Sequence, residues 1–280
     1  MPGDLSIVHD DVDGRIVVTD SLTFCDARVG GGDVIIGGSF AGALAFAFAL
    51  ERGVRALVGH EAGLGKDAAG ISGLPFADGF GVPAAAVETF SARIGDGASV
   101  AEGVVAHVNE RARALGVAPG QRAREAAHRL LKAPGLLQPQ PGLVDRVPRV
   151  VEECAGGRVV LVASMAFAER AHARDVLCAG SHGGRVNVPR LLEVRPRGAI
   201  FNDAGMARDR SGIDGLPLLD PVGVAAVAVA AMSARIGDPA SAWETGVVSA
   251  VNATAARAGV AIGMPVRDAA LRILAAPDPA

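Results

Sequence analysis

The sequence predicts an α/β fold made twice over, and three observations carry that prediction. Residues 33–96 lie on residues 175–238 at a constant shift of 142 with no gap, and 28 of those 64 positions are identical. In each copy, short apolar β-branched runs alternate with stretches long enough for a helix, at spacings that suit parallel strands joined by crossovers. Glycines and polar residues collect just after those runs, where parallel sheets bind their ligands.

The elements follow in order. Residues 15–19 and 33–37 read as buried strands, residues 43–51 as a helix, and residues 56–59 as a third strand. A helix over 67–78 and a fourth strand over 83–90 complete the set. Ser99 and Glu102 have the spacing of a capping box, opening an amphipathic helix with Val100, Val104, Val108, Ala112 and Leu115 on its apolar face. Ser241 and Glu244 repeat that signal. Beyond a one-residue insertion near Thr245 the shift becomes 143, so Gly103, Asn109, Gly116 and Gly120 match Gly246, Asn252, Gly259 and Gly263. Residues 14–24 match 157–167 at the same shift. The expected architecture is a tandem duplication of a small Rossmann-like or flavodoxin-like parallel-sheet unit, its halves related by a pseudo-twofold axis. The repeats span 1–133 and 149–280, with a Pro/Gly-rich linker over 134–148.

Composition narrows the function. Half of the 280 residues are hydrophobic, 20% are charged and the net charge is −3, which describes a globular chain and offers no broad basic surface for nucleic acid or anionic lipid. The first residues show neither the basic region nor the apolar core of a secretion signal, and no apolar stretch is long enough to span a bilayer. Cys25, Cys154 and Cys178 are odd in number and lack metal-type spacing, so a cytoplasmic protein is expected. So hydrophobic a chain also suggests a homo-oligomer.

The candidate site residues sit at the carboxyl ends of the predicted strands. Ser39 in copy one and Ser181, His182, Gly183 and Gly184 in copy two occupy a strand-to-helix turn whose amides can hold an anion or a developing oxyanion. For Ser39 a tight turn needing glycine only for geometry accounts equally well. After the third strand come His60 and Glu61, matched by Asn202 and Asp203, pairs suited to general acid or base work. The hexapeptide Ser-Ala-Arg-Ile-Gly-Asp, with Ser91 and Arg93 in one copy and Ser233 and Arg235 in the other, is the longest shared string. Its arginines suit a substrate carboxylate or phosphate, or else pair with Asp96 and Asp238 in a loop bent at Gly95 and Gly237. Asp67 and Asp209 read as helix N-caps.

No metal-ligand spacing occurs and the run from Gly63 to Lys66 lacks the phosphate-loop pattern, so no cofactor is expected. Phe40 against His182 and His60 against Asn202 are unequal positions, and each copy supplies a histidine that the other lacks. The preferred expectation is therefore an enzyme with one composite site, built from His60, Glu61, Ser181, His182, Asn202 and Asp203. It would act by hydrolysis or elimination on a small, polar, anionic metabolite. A non-catalytic binding or sensing protein with a site in each half, and a metal-dependent hydrolase, are the alternatives.

Overall fold

The computed structural model describes residues 4–134 and 138–277. The chain divides into two compact units. The first takes in residues 1–64, 68–144 and 207–209, and the second takes in 65–67, 145–206 and 210–280. Gly135, Leu136 and Leu137 of the expected linker lie outside the described residues.

In the first unit the elements are β1 (Ser6–Asp11), β2 (Gly14–Thr19), β3 (Asp33–Phe40), α1 (Ala43–Leu50), β4 (Ala56–His60), α2 (Gly73–Gly79), β5 (Ala84–Val87), α3 (Gly97–Glu102), β6 (Val105–Val108), α4 (Glu110–Ala114) and α5 (Ala123–Leu130). The six strands lie side by side in chain order. Neighbours from β2 to β5 run parallel, while β1 and β6 close the two edges antiparallel. Alternation along the parallel strands sends Ile16, Val18, Val34, Ile36, Val58 and Val87 to one face, where they pack with Val100 of α3 and Ala126 and Leu130 of α5. Helix α1 is apolar all round, and Phe46 and Leu50 are fully buried, as a helix without a polar face requires.

The second unit repeats this plan with β7 (Arg149–Cys154), β8 (Gly157–Val162), β9 (Val176–His182), α6 (Val188–Val194), β10 (Gly198–Asn202), β11 (Ala225–Val229), α7 (Pro239–Thr245), β12 (Val248–Val251), α8 (Ala253–Arg257) and α9 (Val266–Ala275). Its strands are again in sequential order, with antiparallel edges at β7 and β12. Each sheet is thus mixed and mostly parallel, and the duplicated Rossmann-like α/β architecture stands. Among the described residues no helix is long and apolar enough to cross a membrane.

Four local expectations are corrected. The helix expected from Val100 through Leu115 is broken: α3 ends at an extended Gly103, and Val105 to Val108 pair with β5 as a strand. Asp96, not Ser99, caps α3, its carboxylate accepting from the Ser99 amide at 2.8 Å, while Ser99 Oγ accepts from the Arg93 amide. Asp238 and Ser241 repeat both bonds. The helix over 67–78 is a 3-10 turn at Lys66–Ile71 followed by α2, because Asp67 and Ala68 are left-handed, at φ of 56° and 53°. Asp67 and Asp209 are therefore not N-caps. Strands β1 and β7 were not anticipated, since their largely exposed residues have no apolar alternation to announce them.

The shared hexapeptide has a packing explanation. Gly95 and Gly237 adopt φ of 76° and 85°, and their amides donate to the carbonyls of Gly38 and Gly180 at 2.8 Å. A Cβ on Gly38 would stand 2.5 Å from the Asp96 amide nitrogen, so the two loops approach too closely for any side chain there.

Candidate functional site

The loop after β4 has an unusual backbone. Ala62, Gly63, Leu64, Gly65, Asp67 and Ala68 all have φ between 52° and 72°. Its counterpart after β10 does the same through Ala204, Gly205, Met206, Ala207, Asp209 and Arg210. A left-handed conformation costs about 1–2 kcal/mol for each residue with a Cβ, and such strain persists where the surroundings over-determine it, often at functional sites. Here the clamps are visible. The Leu64 amide donates to Glu61 O at 3.0 Å and the Gly70 amide to Leu64 O at 2.8 Å. A Cβ on Gly70 would lie 2.0 Å from Glu61 O, and one on Gly212 would lie 2.1 Å from Asp203 O.

His60 belongs to these clamps. Its Nδ1 accepts from the Ala62 amide at 3.0 Å, which leaves the proton on Nε2, facing the carbonyls of Thr89 and Ala92 at 3.1 Å each. In the second unit Asn202 Oδ1 accepts from the Ala204 amide at 2.9 Å and Asn202 Nδ2 donates to Ala234 O at 3.1 Å. The exchange of histidine for asparagine thus keeps an acceptor and a donor in matching places. His60 is fully buried, and burial pushes its pKa below the ordinary value, keeping the ring neutral. A depressed pKa means that His60 contributes stability above about pH 6.5 that is lost as the pH falls through the folded-state value. His60→Asn is expected to fold and to flatten the acid limb of a urea-midpoint profile between pH 7.5 and 5; an unchanged limb would refute the structural role.

The strand-to-helix turns are likewise engaged. Ser39 Oγ accepts from the Leu22 amide at 2.9 Å, and Ser181 Oγ accepts from the Met165 amide at 3.0 Å. His182 Nδ1 accepts from the Gly184 amide at 3.1 Å, and the Gly183 amide donates to Asn202 O at 3.1 Å. Both glycine amides are therefore already donated, and the anion cradle expected there is not assembled. Phe40 and His182 cover equivalent glycines: a Cβ on Gly42 would meet the Phe40 ring at 2.4 Å, and one on Gly184 would meet His182 Nδ1 at 2.7 Å. Ser91 Oγ donates to Glu88 O and accepts from the Val104 amide, with Ser233 making the same pair to Ala230 O and the Val247 amide.

The arginines hold carboxylates. Within the first unit Arg93 Nη1 lies 3.2 Å from Asp209 Oδ2, and within the second Arg235 Nη1 lies 3.1 Å from Asp67 Oδ2. Arg235 also grips Asp238 Oδ2 through Nε and Nη2 at 3.1 and 2.8 Å. Hydrogen bonds donated to the Asp238 and Asp67 carboxylates hold the Arg235 pKa above its ordinary value.

Glu61 and Asp203 are the divergent carboxylates. Glu61 Oε1 accepts from the Thr89 amide at 3.0 Å and from Thr89 Oγ1 at 2.8 Å, and that hydroxyl accepts in turn from the Gly63 amide at 2.8 Å. Asp203 Oδ1 accepts directly from the amides of Ala231 and Gly205, at 2.9 and 3.0 Å. The second Glu61 oxygen does something with no twin. It stands 3.2 Å from His107 Nε2, pairing a carboxylate only 10% exposed with an imidazole that is 38% exposed. His107 faces Ala86 across the β5–β6 register, and its partner in the other copy is Ala250. His107 is not among the residues the sequence singles out, because the pattern there predicts a helix where the chain forms β6. The signal was present at a shift of 143, as a histidine facing an alanine.

Among the described residues no group of three or more histidines, cysteines or acidic residues is gathered as a metal site would be. The buried thiols of Cys25 and Cys178 are pushed up to about 12 by desolvation and are inert as nucleophiles. What fold and site define is a duplicated α/β protein with a strained loop at the carboxyl end of each sheet and a carboxylate–imidazole pair in one of them. Comparisons with family models, curated proteins and solved structures find no match for this chain.

Proposed function

We propose that the chain is an enzyme acting on a small polar metabolite by general acid–base catalysis, in a hydrolysis or an elimination, with Glu61 and His107 as its proton-moving pair. The observation that carries this reading is the 3.2 Å approach of the partly exposed His107 to the buried Glu61 carboxylate, beside a strained loop. Thr89 fixes Glu61 through two hydrogen bonds, so the carboxylate is an acceptor held in place. A carboxylate beside one imidazole nitrogen favours the proton there and leaves the other nitrogen as the base. The same pair, once protonated, returns the proton to a leaving group. An anionic substrate group would compete with the exposed Asp209 carboxylate for Arg93. Three unpaired cysteines support a reducing compartment such as the cytoplasm.

Screening the purified chain against small esters, lactones, amides and β-hydroxy acids tests the reading. For any substrate turned over, His107→Ala and Glu61→Gln are each expected to lower the rate about 100-fold or more, in the range of a lost general acid or base. His60→Asn is expected to leave it within a few-fold. Unaltered turnover in the folded His107 and Glu61 variants would overturn the assignment.

A further inference from the structure

The second unit contains a cavity of about 710 Å³ at the amino-terminal ends of β10 and β11, away from the loops described above. Arg195, Arg197 and Arg257 line it, with Val222, Ala258 and Ile273 among its apolar walls. Four of its lining residues differ from their first-unit counterparts in bulk or charge. Where the second unit has Val222 and Ala258, the first has Phe80 and Leu115. Phe80 packs edge-on against Phe76 at 5.1 Å, and Leu115 packs against the core. Two truncations in the second unit thus remove bulk from one place. Two further exchanges add charge at that place, since Gly53 and Ala114 of the first unit become Arg195 and Arg257.

The first of these runs against backbone preference. Gly53 has φ of 70°, which suits glycine, yet Arg195 holds φ of 51° at the same position. Arg195 Nε donates to Leu192 O, Arg257 Nη2 donates to Thr254 Oγ1, and among the described residues neither makes an ion pair. Arg197 is tied to the carbonyls of Gly156, Ile273 and Ala276. Among the described residues the one carboxylate in the lining, Asp220, already accepts from the Thr254 amide and hydroxyl at 2.8 Å each and from the Ala253 amide at 3.3 Å. Its counterpart Asp78 accepts from the amides of Glu110 and Arg111 in the same way, so Asp220 is part of the shared frame.

We infer that this cavity is a binding site for a small organic anion, its phosphate or carboxylate held by Arg195 and Arg257 and its apolar body lying over Val222, Ala258 and Ile273. A planar guanidinium pair suits either head group, and the apolar walls select against a bare inorganic ion. The site is separate from the Glu61–His107 pair and stands whether or not that pair is catalytic.

Calorimetric titration of the full chain with phenyl phosphate, benzoate and inorganic phosphate tests it. Saturable binding of phenyl phosphate or benzoate is expected, with inorganic phosphate at least tenfold weaker; the tighter of the two organic probes identifies the head group. The double variant Arg195→Gly with Arg257→Ala removes the charge, and Val222→Phe with Ala258→Leu fills the space. All four replacements are the residues that the first unit carries at those positions, so the fold accommodates each. Each double variant is expected to bind the organic probe at least tenfold more weakly. No binding of either organic probe by the unaltered chain, equal affinity for inorganic phosphate, or undiminished affinity in both double variants would overturn the inference.

Discussion

Asn109→Ala is expected to destabilise the first unit by about 3–5 kcal/mol, because a single buried amide satisfies four backbone groups there. Asn109 Oδ1 accepts from the amides of Ala84 and Ala112, both at 2.9 Å, and Nδ2 donates to Val82 O at 2.8 Å and to Leu74 O at 3.4 Å. It caps α4, anchors the start of β5 and ties in α2, and it is only 4% exposed. Alanine would strand two donors and two acceptors away from water. Each costs about 1–3 kcal/mol when unsatisfied, though the long bond to Leu74 contributes least and relaxation recovers part. Asn252 repeats the arrangement with Ala226, Ala255, Val224 and Leu216, so Asn252→Ala should do the same to the second unit. Amide exchange at β5 for one variant and at β11 for the other would read the loss where it occurs. Undiminished protection at β5 in Asn109→Ala would refute the account.

Asp33→Ala is expected to cost about 2–4 kcal/mol by removing one half of a bidentate ion pair. Asp33 is only 1% exposed. Arg15 Nε and Nη2 reach its two oxygens at 2.6 and 2.8 Å, and the Gly30 amide donates to it at 2.7 Å. Arg15 keeps 35% of its side chain in water, which softens the penalty of leaving its charge unpartnered, so the lower part of the range is favoured. Arg158 and Asp175 form the same pair in the second unit, at 3.0 and 2.7 Å. Arg15→Lys serves as the contrast: it keeps the charge and loses the fork, and should fall between the parent chain and Asp33→Ala in urea midpoint. A midpoint for Asp33→Ala within error of the parent chain would show that the pair contributes nothing.

Asn109 and Asn252, and the Arg–Asp pairs, are identical between copies, and identity at polar positions buried in both units reflects a shared hydrogen-bond frame. Several positions that differ nonetheless fill matching roles. His60 against Asn202 looked like divergent chemistry, yet both side chains offer an acceptor to the amide two residues on and a donor to a distant carbonyl. Phe40 against His182 is similar in kind, since both rings cover a glycine. Glu61 with Thr89 against Asp203 with Ala231 is a compensated exchange in which a hydroxyl fills the gap to the loop amide in one copy alone. His107 against Ala250 has no such compensation, which is why it carries the proposed chemistry.

The sequence by itself determined the duplication, the α/β class, the parallel strands from β2 to β5 and from β8 to β11, and the loops where polar residues gather. Those features rest on period, spacing and self-similarity, which are properties of the chain as written. Only the tertiary structure decided which polar residues are consumed by the backbone and which face each other. His60, Ser181 and His182 proved to be bonded to amides, while His107 reached Glu61 only because β6 pairs antiparallel with β5. The arginine-lined cavity in the second unit likewise brings together four exchanges that are scattered along the chain. Hydrogen-bond partners and cavity walls are fixed by contacts between residues far apart in sequence, and periodicity is silent about those.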